Sequence, residues 1–213
     1  MPRPRSLTPG DIATAALQVI DRDGLAALSM RTVATELGAG TMSLYRYVKD
    51  REALEQLVVD QVLASVDTEL IPRAPWNQQI TQLAECMRVA VGAHPSIVPL
   101  LTLHRHASHG VKRCAEAFLM ILTEGGFADE QRVIALRTLV SYLSGLFQAQ
   151  HVGPLDGAGT QAMAELSGNQ YPLLSATARV AQRLGPDREF RGGIAIVLQG
   201  LECMRRKNHS EES

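Results

Sequence analysis

Residues Ser29 to Arg51 read SMRTVATELGAGTMSLYRYVKDR, and this stretch decides the fold. It predicts two short helices: Ser29 caps the first, and Thr41 caps the second, over Met42–Val48. Gly38 lies between them and can adopt the positive φ that a sharp turn needs. Two short helices joined in this way form a helix-turn-helix, a motif that places its second helix in the major groove of DNA.

The exposed side of the second predicted helix carries residue types that bind DNA. Leu44 and Val48 are one turn apart and are expected to face inward. The opposite side presents Met42, Tyr45, Arg46 and Lys49. Arginine can form paired hydrogen bonds with guanine, while tyrosine and lysine can bind phosphates. The alternative is an ordinary surface helix of a small bundle, and the flanking segments decide between the two.

A further helix is predicted on each side of this pair. Upstream, Thr8-Pro9 opens a helix that ends at Asp23-Gly24. Downstream, Asp50 caps a longer helix predicted over Arg51–Leu70. The first helix, the Ser29-Met30-Arg31 entry and the run Ser43-Leu44-Tyr45-Arg46-Tyr47-Val48, which leads to Arg51 and Leu54, resemble the N-terminal domain of the TetR family of transcriptional repressors.

The resemblance assigns DNA-contacting roles to individual residues. It places Thr41, Met42, Ser43 and Arg46 at base edges, with Arg31 reaching the groove from the preceding helix. It places Tyr45, Tyr47, Lys49 and Arg51 at phosphates. Gly40 stands where relatives usually carry a larger residue, so it is assigned no base contact. Arg46 is expected to carry the most sequence information.

Composition predicts a soluble cytoplasmic protein. The chain has 213 residues, 46% of them hydrophobic and 20% charged, and no apolar run approaches the roughly twenty residues that span a bilayer. Cys86, Cys114 and Cys203 are odd in number and lie in apolar helical patterns, so buried, reduced thiols are expected. The basic segment Pro2–Ser6 is expected to be either a disordered terminus or an arm along DNA. It is not expected to be a signal peptide, because no apolar segment follows it.

The formal net charge is only −1, but its distribution is uneven. Residues 1–51 contain seven Lys/Arg and five Asp/Glu, which leaves +2 there and −3 in the remainder. Because this excess is modest, we expect DNA affinity to come from well-placed contacts and from two copies of the helix-turn-helix binding together in a dimer.

The second half of the chain is predicted to be a separate helical domain. Pro72-Arg73-Ala74-Pro75 breaks the preceding helix, which gives a DNA-binding domain (1–50), a connecting helix (51–70) and a second domain (71–213). Further helices are predicted over residues 76–93, 96–104, 109–124, 129–150, 173–184 and 187–206. No segment shows the alternation of a β-strand, so the predicted fold class is all-α.

The second domain resembles a known domain through three short motifs. They are Ala74-Pro75-Trp76, Ala93-His94-Pro95 and Glu124-Gly125-Gly126-Phe127, which look like the C-terminal domain of tetracycline-repressor-type members. The resemblance implies a domain that binds a small molecule and forms a homodimer.

The residues independently favour dimerisation through the helices near 130–150 and 187–206. The first is apolar on nearly every side, and the second carries Gly192, Ile196 and Gly200 along one side. The two helices could pack against the same pair of a second subunit, and the alternative is a thick core within one chain.

Candidate ligand-binding residues are mainly apolar, with a few polar side chains that could orient a ligand. They are Trp76, Leu83, Met87, Leu101, His104, Phe118, Tyr142, Phe147, Gln148 and His151. Each could equally be a core or surface residue. Tetracycline-binding repressors surround a magnesium ion with a histidine-bearing pocket, and Asp67 and Leu101 stand near two such histidine positions here. Neither tetracycline nor magnesium is therefore predicted, and no cofactor is expected.

Two other segments have limited functional interpretations. His104, His106 and His109 lack companion ligands at metal-binding spacing, so a corner between helices is favoured over a metal site. The glycine-rich segment Gly153–Gly159 lacks the lysine of a phosphate-binding loop, so it is expected to be a mobile loop or a lid.

Together these features predict a homodimeric repressor that binds a palindromic operator and releases it when a small molecule binds the second domain. A ligand-independent DNA-binding protein of the same fold is the alternative. An enzyme built on His104, His106 and His109 is not expected, because nothing pairs a nucleophile with a base. Repression is what the resemblance to the TetR family implies, and the residues themselves leave both repressor and activator open.

Overall fold

The computed structural model describes residues 7–69, 73–153 and 157–211, with side chains as far as residue 206. These residues form the α-helices α1 (Pro9–Asp23), α2 (Met30–Glu36), α3 (Thr41–Leu44), α4 (Arg51–Ala64), α5 (Trp76–Gly92), α6 (Val98–Leu103), α7 (His109–Glu124), α8 (Asp129–Val152), α9 (Ala158–Ala164), α10 (Pro172–Ala181) and α11 (Pro186–Glu211). Single 3₁₀ turns, Leu25–Ala27 and Pro95–Ile97, precede α2 and α6. The described ranges contain no strand, and the all-α prediction is confirmed.

The chain forms two compact units. Among the residues that the structure describes, those within 1–72 and 82–118 form unit 1, and those within 73–81 and 119–213 form unit 2. The boundary between the units passes within α5 and α7. The predicted domains, with limits at residues 50 and 70, divide the chain by function and not by compactness. This division stays a prediction.

In unit 1, α1 begins and ends where its sequence directs. The Thr8 hydroxyl accepts a hydrogen bond from the Asp11 N–H (3.1 Å), and the Asp11 carboxylate accepts one from the Thr8 N–H (2.9 Å). Gly24, with φ 83°, ends the helix. The apolar side of α1 packs on α2 and α4 through Ile12, Ala15, Ala16, Val19 and Ile20, all of which are buried.

The helix-turn-helix has the predicted entry and turn. Ser29 caps α2 by accepting a hydrogen bond from the Thr32 N–H (3.1 Å). Gly38 adopts a positive φ of 61°, as the turn requires. α2 then packs against α3 within unit 1.

The second helix of this motif is shorter than predicted. Gly40, not Thr41, occupies the cap position of α3, and the helix ends at Leu44 rather than Val48. The N–H groups of Tyr47 and Val48 both donate to the Leu44 carbonyl, at 2.8 and 2.9 Å. The chain therefore tightens into a turn after Leu44, because one carbonyl serves both donors.

The long helix α4 ends at Ala64, so the prediction of a helix to Leu70 is wrong. The Ser65 hydroxyl donates to a carbonyl of the last helical turn (2.7 Å). Arg113 of α7 donates to the Leu63 carbonyl. These side chains satisfy terminal carbonyls that another turn of helix would have used, so the helix stops there.

A further set of contacts joins α4 to the start of α7. Asp60 Oδ1 accepts hydrogen bonds from the Ser108 hydroxyl (2.5 Å) and the Gly110 N–H (2.8 Å). A Cβ at Gly110 would lie only 2.8 Å from the Leu63 Cβ, so this approach requires glycine. A carboxylate is also favourable beside the positive end of the α7 dipole.

In unit 2, α8 packs along α11. The Tyr142 hydroxyl donates to the Phe190 carbonyl (3.1 Å), and the two rings lie 6.5 Å apart. A Cβ at Gly193 would overlap the Tyr142 ring, so this glycine makes room for it. At the start of α5, the Trp76 and Phe127 rings meet edge to face at 4.9 Å.

The other helices follow the predictions with changes at their ends. α7 has the predicted limits, whereas α8 and α11 extend further and α10 is shorter at its end. α9 corrects the prediction that Gly153–Gly159 is a loop throughout, because the helix begins at Ala158. The residues after Gly157 include Ala, Gln and Met, which favour a helix. The segments Pro2–Ser6, Leu70–Pro72 and Pro154–Asp156 lie outside the described residues.

Within the described ranges, no single helix has both the length and the apolar character needed to cross a membrane. α5 taken together with the bent segment Pro95–Leu103 meets the same measure of length and composition.

Candidate DNA interface and effector region

α3 and the turn that follows it present the predicted reading surface. Leu44 and Val48 are 0% and 1% exposed, whereas Met42 is 79% exposed. Exposed or half-buried positions are also occupied by Thr41, Ser43, Tyr45, Arg46, Tyr47 and Lys49. The inward side of this short segment therefore anchors it, and the predicted DNA-contacting side chains share its outer surface.

The reading surface keeps its positive charge. Within the described ranges, no acidic side chain pairs with Arg31 or Arg46. Arg22 differs, because it binds the carboxylates of Asp23 (2.9 Å) and Glu36 (3.0 Å), which raise its pKa further. Arg22 is thus neutralised by its neighbours, and the unpaired cations lie where DNA is expected to bind.

The first turn of α4 adds a second group of phosphate-binding candidates. Asp50 caps the helix by accepting a hydrogen bond from the Ala53 N–H (2.8 Å). Lys49 is exposed, and its Nζ lies 3.9 Å from Asp50, a pairing that is weak in water. Arg51 is half exposed, and its Nε donates to Glu55 Oε1 (2.7 Å). Cations around a helix N-terminus form a suitable surface for a phosphate.

A buried polar pair lies behind this turn, and the sequence analysis missed it. Glu55 Oε2 lies 2.9 Å from His104 Nε2, and these residues are 8% and 4% exposed. His104 is a predicted ligand contact and one of the three clustered histidines, but its Nε2 is bound to Glu55. The available signal was Glu55 itself, which follows the core residue Leu54 and precedes Val58 by one turn.

The predicted ligand-binding residues divide between the two units. Unit 1 contains Leu83, Met87, Leu101, His104 and Phe118, and unit 2 contains Trp76, Tyr142, Phe147, Gln148 and His151. Tyr142 uses its hydroxyl within the fold, as described above, and Gln148 is exposed on α8. The remaining apolar members are buried or half-buried, so their roles as ligand contacts stay predictions.

A groove of about 790 Å³ lies in unit 2 between the start of α5 and α11. Its lining includes the apolar residues Trp76, Ile194 and Leu198, with Glu202 on its polar side. Guanidinium groups of Arg205 and Arg206 bind Glu202 and lower its pKa to about 2. Trp76 is the one predicted ligand contact among the described residues that line this groove.

The cysteines and histidines show no metal-binding geometry in the described part of the chain, where no group of three or more His, Cys, Asp or Glu side chains could hold an ion. Cys114 is buried and Cys86 half-buried, and burial raises the pKa of both thiols. Cys203 is exposed, which corrects the expectation of three buried thiols. It lies on the side of α11 that carries Ile196 and Gly200, which the described chain leaves uncovered.

Models of known families match most of the chain. Residues 12–56 match the model of bacterial regulatory proteins of the tetR family, and residues 71–205 match the tetracyclin repressor-like C-terminal domain. The chain belongs to the TetR family of transcriptional regulators. The two resemblances noted in the sequence are thereby confirmed.

Curated relatives of this TetR-family protein include several repressors. It is 29% identical over 206 residues to tetracycline repressor protein class A from transposon 1721 of Escherichia coli, covering 93% of this chain and 92% of the relative. It is 27% identical to the HTH-type transcriptional repressor DrrR1 of Streptomyces coeruleorubidus, covering 100% of this chain and 83% of the relative. The chain is accordingly a DNA-binding transcriptional regulator.

Solved structures of the TetR family match along almost the whole chain. Apo ActR from Streptomyces coelicolor aligns with a TM-score of 0.81 and 26% identity, covering 96% of this chain and 99% of that one. ActR in complex with actinorhodin aligns with a TM-score of 0.77 and 27% identity, covering 94% and 99%. The likeness therefore includes the C-terminal half as well as the DNA reader.

Arg46→Ala is expected to weaken binding to the specific operator by about 1–3 kcal/mol and to relax preference at one base position. Arg46 is unpaired by acids, and its Cζ lies 5.8 Å from the Tyr47 ring centroid, so the guanidinium is held at the reading surface. Selection from random duplexes followed by titration measures both effects. Arg22→Ala removes an equal charge from a paired site and serves as the control. An unchanged base preference in Arg46→Ala would refute the assignment.

Proposed function

We propose that this TetR-family protein is a homodimeric repressor that binds a palindromic operator and releases it when a small molecule binds the C-terminal half. The observation that carries the proposal is the exposed cationic and aromatic surface on α3 and the following turn, where no acidic side chain of the described residues pairs with Arg46. Buried Leu44 and Val48 anchor the backbone of this segment, so the backbone does not have to be ordered when DNA binds. The relatives named as repressors support the same direction of control.

The proposed dimer face lies on α8 and α11. We define it by four exposed apolar residues, Val133, Ile134, Val140 and Ile196, the last of which is 73% exposed. On α11, a Cβ at Gly192 or Gly200 would meet nothing within 4 Å, which leaves room for close helix approach. A self-complementary apolar surface of this kind fits a two-fold symmetric dimer.

A dimer would give the reader its palindromic specificity. One reading surface covers a few base pairs, and the excess positive charge of residues 1–51 is only +2. Two copies related by a two-fold axis can contact half-sites in successive major grooves, about one helical turn apart. The second contact is then intramolecular and adds affinity without any new kind of interaction.

The effector is proposed to be a mostly apolar molecule with a few polar groups. ActR, at 27% identity, forms complexes with actinorhodin and with (S)-DNPA. In this chain, the buried Gln79 Oε1 has no hydrogen-bond partner among the described residues, so it could accept a hydrogen bond from a bound molecule. The predicted contacts are mainly aromatic and aliphatic, as in most small-molecule sites.

Coupling between effector and operator would act through α4. Its first turn lies beside the reader, and Asp60 fixes its middle to the start of α7. An effector that favours a conformation with a displaced α4 would weaken operator binding, and the operator would weaken effector binding equally. Coupling energies of this kind are typically about 1–3 kcal/mol.

We also propose that the protein is cytoplasmic and has no catalytic role. DNA is the proposed partner, and the relatives that match the chain are named as regulators. The residues with proposed roles bind DNA, pack in the core or carry charge, and the proposal needs no bond-making step.

The proposal is tested by selecting bound sequences from random duplex DNA and repeating the selection with a panel of small molecules. The panel includes tetracycline and actinorhodin, the compounds named for the relatives. We expect a palindrome whose recovery one class of compound abolishes. If neither the compounds nor saturating metabolite extracts change recovery of the palindrome, the result would support the ligand-independent alternative. Failure to enrich any sequence at low salt would refute the DNA-binding assignment.

A further inference from the structure

We propose that Glu55 and His104 are positioning residues for DNA binding, because together they hold Arg51 in the orientation that contacts a phosphate. This role rests on the proposed function, since Arg51 must lie against DNA for its orientation to matter. It assigns a DNA-binding task to His104, which lies 53 positions beyond Arg51 in the sequence and outside the helix-turn-helix.

The three side chains form a continuous hydrogen-bonded series. Arg51 Nε donates to Glu55 Oε1 at 2.7 Å, and Glu55 Oε2 lies 2.9 Å from His104 Nε2. The Glu55 carboxylate thus uses one oxygen for each neighbour and has little freedom to rotate. Exposure falls along the series, from an Arg51 side chain that is 52% exposed to a His104 that is 4% exposed.

The geometry leaves the phosphate-binding end of Arg51 free. A guanidinium has five N–H donors in one plane, and the Glu55 contact occupies only the Nε donor. Within the described chain, no other acceptor binds the terminal nitrogens of Arg51. Fixing Nε fixes the plane of the whole group, so both terminal nitrogens are oriented before DNA arrives.

Burial of the pair favours an orienting role over a purely stabilising one. A buried carboxylate and imidazole lose their hydration, and a well-packed apolar pair of similar volume is often at least as stable. What the polar pair supplies is direction, because hydrogen bonds fix the carboxylate plane whereas apolar contacts do not.

The backbone around His104 is itself held in place. His104 ends α6, and its carbonyl accepts hydrogen bonds from the N–H groups of Ala107 (3.0 Å) and Ser108 (2.9 Å). This corner fixes the imidazole, which fixes Glu55 and, through it, Arg51. The orientation of Arg51 therefore depends on His104, which directly follows the last residue of α6.

The test compares operator affinity and its salt dependence in the full-length protein. The operator is the duplex that the wild-type protein selects. The variants are Arg51→Ala, His104→Leu, His104→Gln and Glu55→Gln, with each of the last three also combined with Arg51→Ala. The Gln side chain at 104 can place its amide nitrogen near the position of the imidazole Nε2, whereas Leu cannot donate a hydrogen bond. Arg22→Ala is the control for loss of one positive charge.

The expected results separate positioning from folding. Arg51→Ala should reduce the slope of log affinity against log salt by about 1, the value for one lost phosphate contact. His104→Leu should weaken binding about threefold to tenfold, the effect of having to immobilise one side chain on binding. His104→Gln should restore most of this loss. In the Arg51→Ala background, His104→Leu and Glu55→Gln should have almost no further effect.

Two results would overturn the positioning role. One is His104→Leu or Glu55→Gln weakening operator binding by the same factor with and without Arg51. The other is an unchanged operator affinity in both variants despite lowered thermal stability, which would show a structural role alone. Glu55→Gln is nearly isosteric and decides the question if His104→Leu does not fold. Wild-type protein that selects no sequence would instead refute the proposed function itself.

Discussion

Ile196→Glu is expected to convert the protein to a monomer and to lower operator affinity by about 10²–10⁴-fold, the gain that joining two binding modules typically provides. Ile196 is 73% exposed on α11, beside glycines that have open space around them. In the proposed dimer, the two-fold axis brings the same face of a second copy against it, so each subunit would bury a new carboxylate. An unpaired carboxylate is costly to bury, whereas in the separate subunit it stays in water.

Val89→Glu is the matched control for this prediction. Val89 is also an exposed aliphatic residue, at 60%, but it lies on α5 outside the proposed dimer face. Light scattering after size exclusion measures the mass of each variant, and titration of the selected operator measures its affinity. A dimeric Ile196→Glu protein with wild-type affinity would show that this face is not the interface. A wild-type protein that stays monomeric when bound to the operator would show that the operator is bound without dimerisation.

Asp60→Ala is expected to lower the free energy of unfolding by about 3–6 kcal/mol, since two hydrogen bonds to a charged acceptor are lost and each typically contributes about 1.5–3 kcal/mol. The Asp60 carboxylate accepts from the Ser108 hydroxyl and the Gly110 N–H at the start of α7. Ser108 is 1% exposed, so its hydroxyl has little access to water as a substitute partner. Glycine at 110 allows α7 to approach this close, and Ala at position 60 leaves the approach without its polar contact.

Asp60→Asn separates hydrogen bonding from charge. The amide keeps Oδ1 as an acceptor but removes the negative charge at the α7 N-terminus, an electrostatic effect of about 0.3–1 kcal/mol. Urea unfolding of the three proteins gives the comparison. We expect Asp60→Asn to lie much closer to the wild type than to Asp60→Ala. Equal stability of Asp60→Ala and the wild type would mean that these contacts do not hold α4 to α7.

The DNA reader was predictable because its signals are local. Caps, turn glycines and apolar spacing act within a few residues, and α1, α2 and the Gly38 turn lie where those signals place them. The inward direction of Leu44 and Val48 follows from helical spacing alone. What failed was the length of α3, where the Leu44 carbonyl accepts two donors and ends the helix, a competition that residue preferences do not reveal.

The C-terminal end of α4 and the partner of His104 depended on distant residues. α4 stops where Arg113 of α7 reaches its Leu63 carbonyl, 50 positions away in the sequence. His104 could be interpreted as a ligand contact or as one of three clustered histidines, yet it binds Glu55. The residues next to Leu63 or His104 in sequence do not indicate these partners, because such pairs form only when the helices pack.

By itself, the sequence determined the all-α class, the family, the reading surface and the apolar residues available for a dimer. These follow from spacing, capping and side-chain chemistry, which are fixed along the chain. Only the tertiary structure decided which helices approach closely at Gly110 and Gly193, and which buried polar groups pair. The physical reason is that close approach and polar pairing each require two surfaces to meet. A residue's neighbours in sequence describe only its own surface, and the other surface comes from a distant part of the chain.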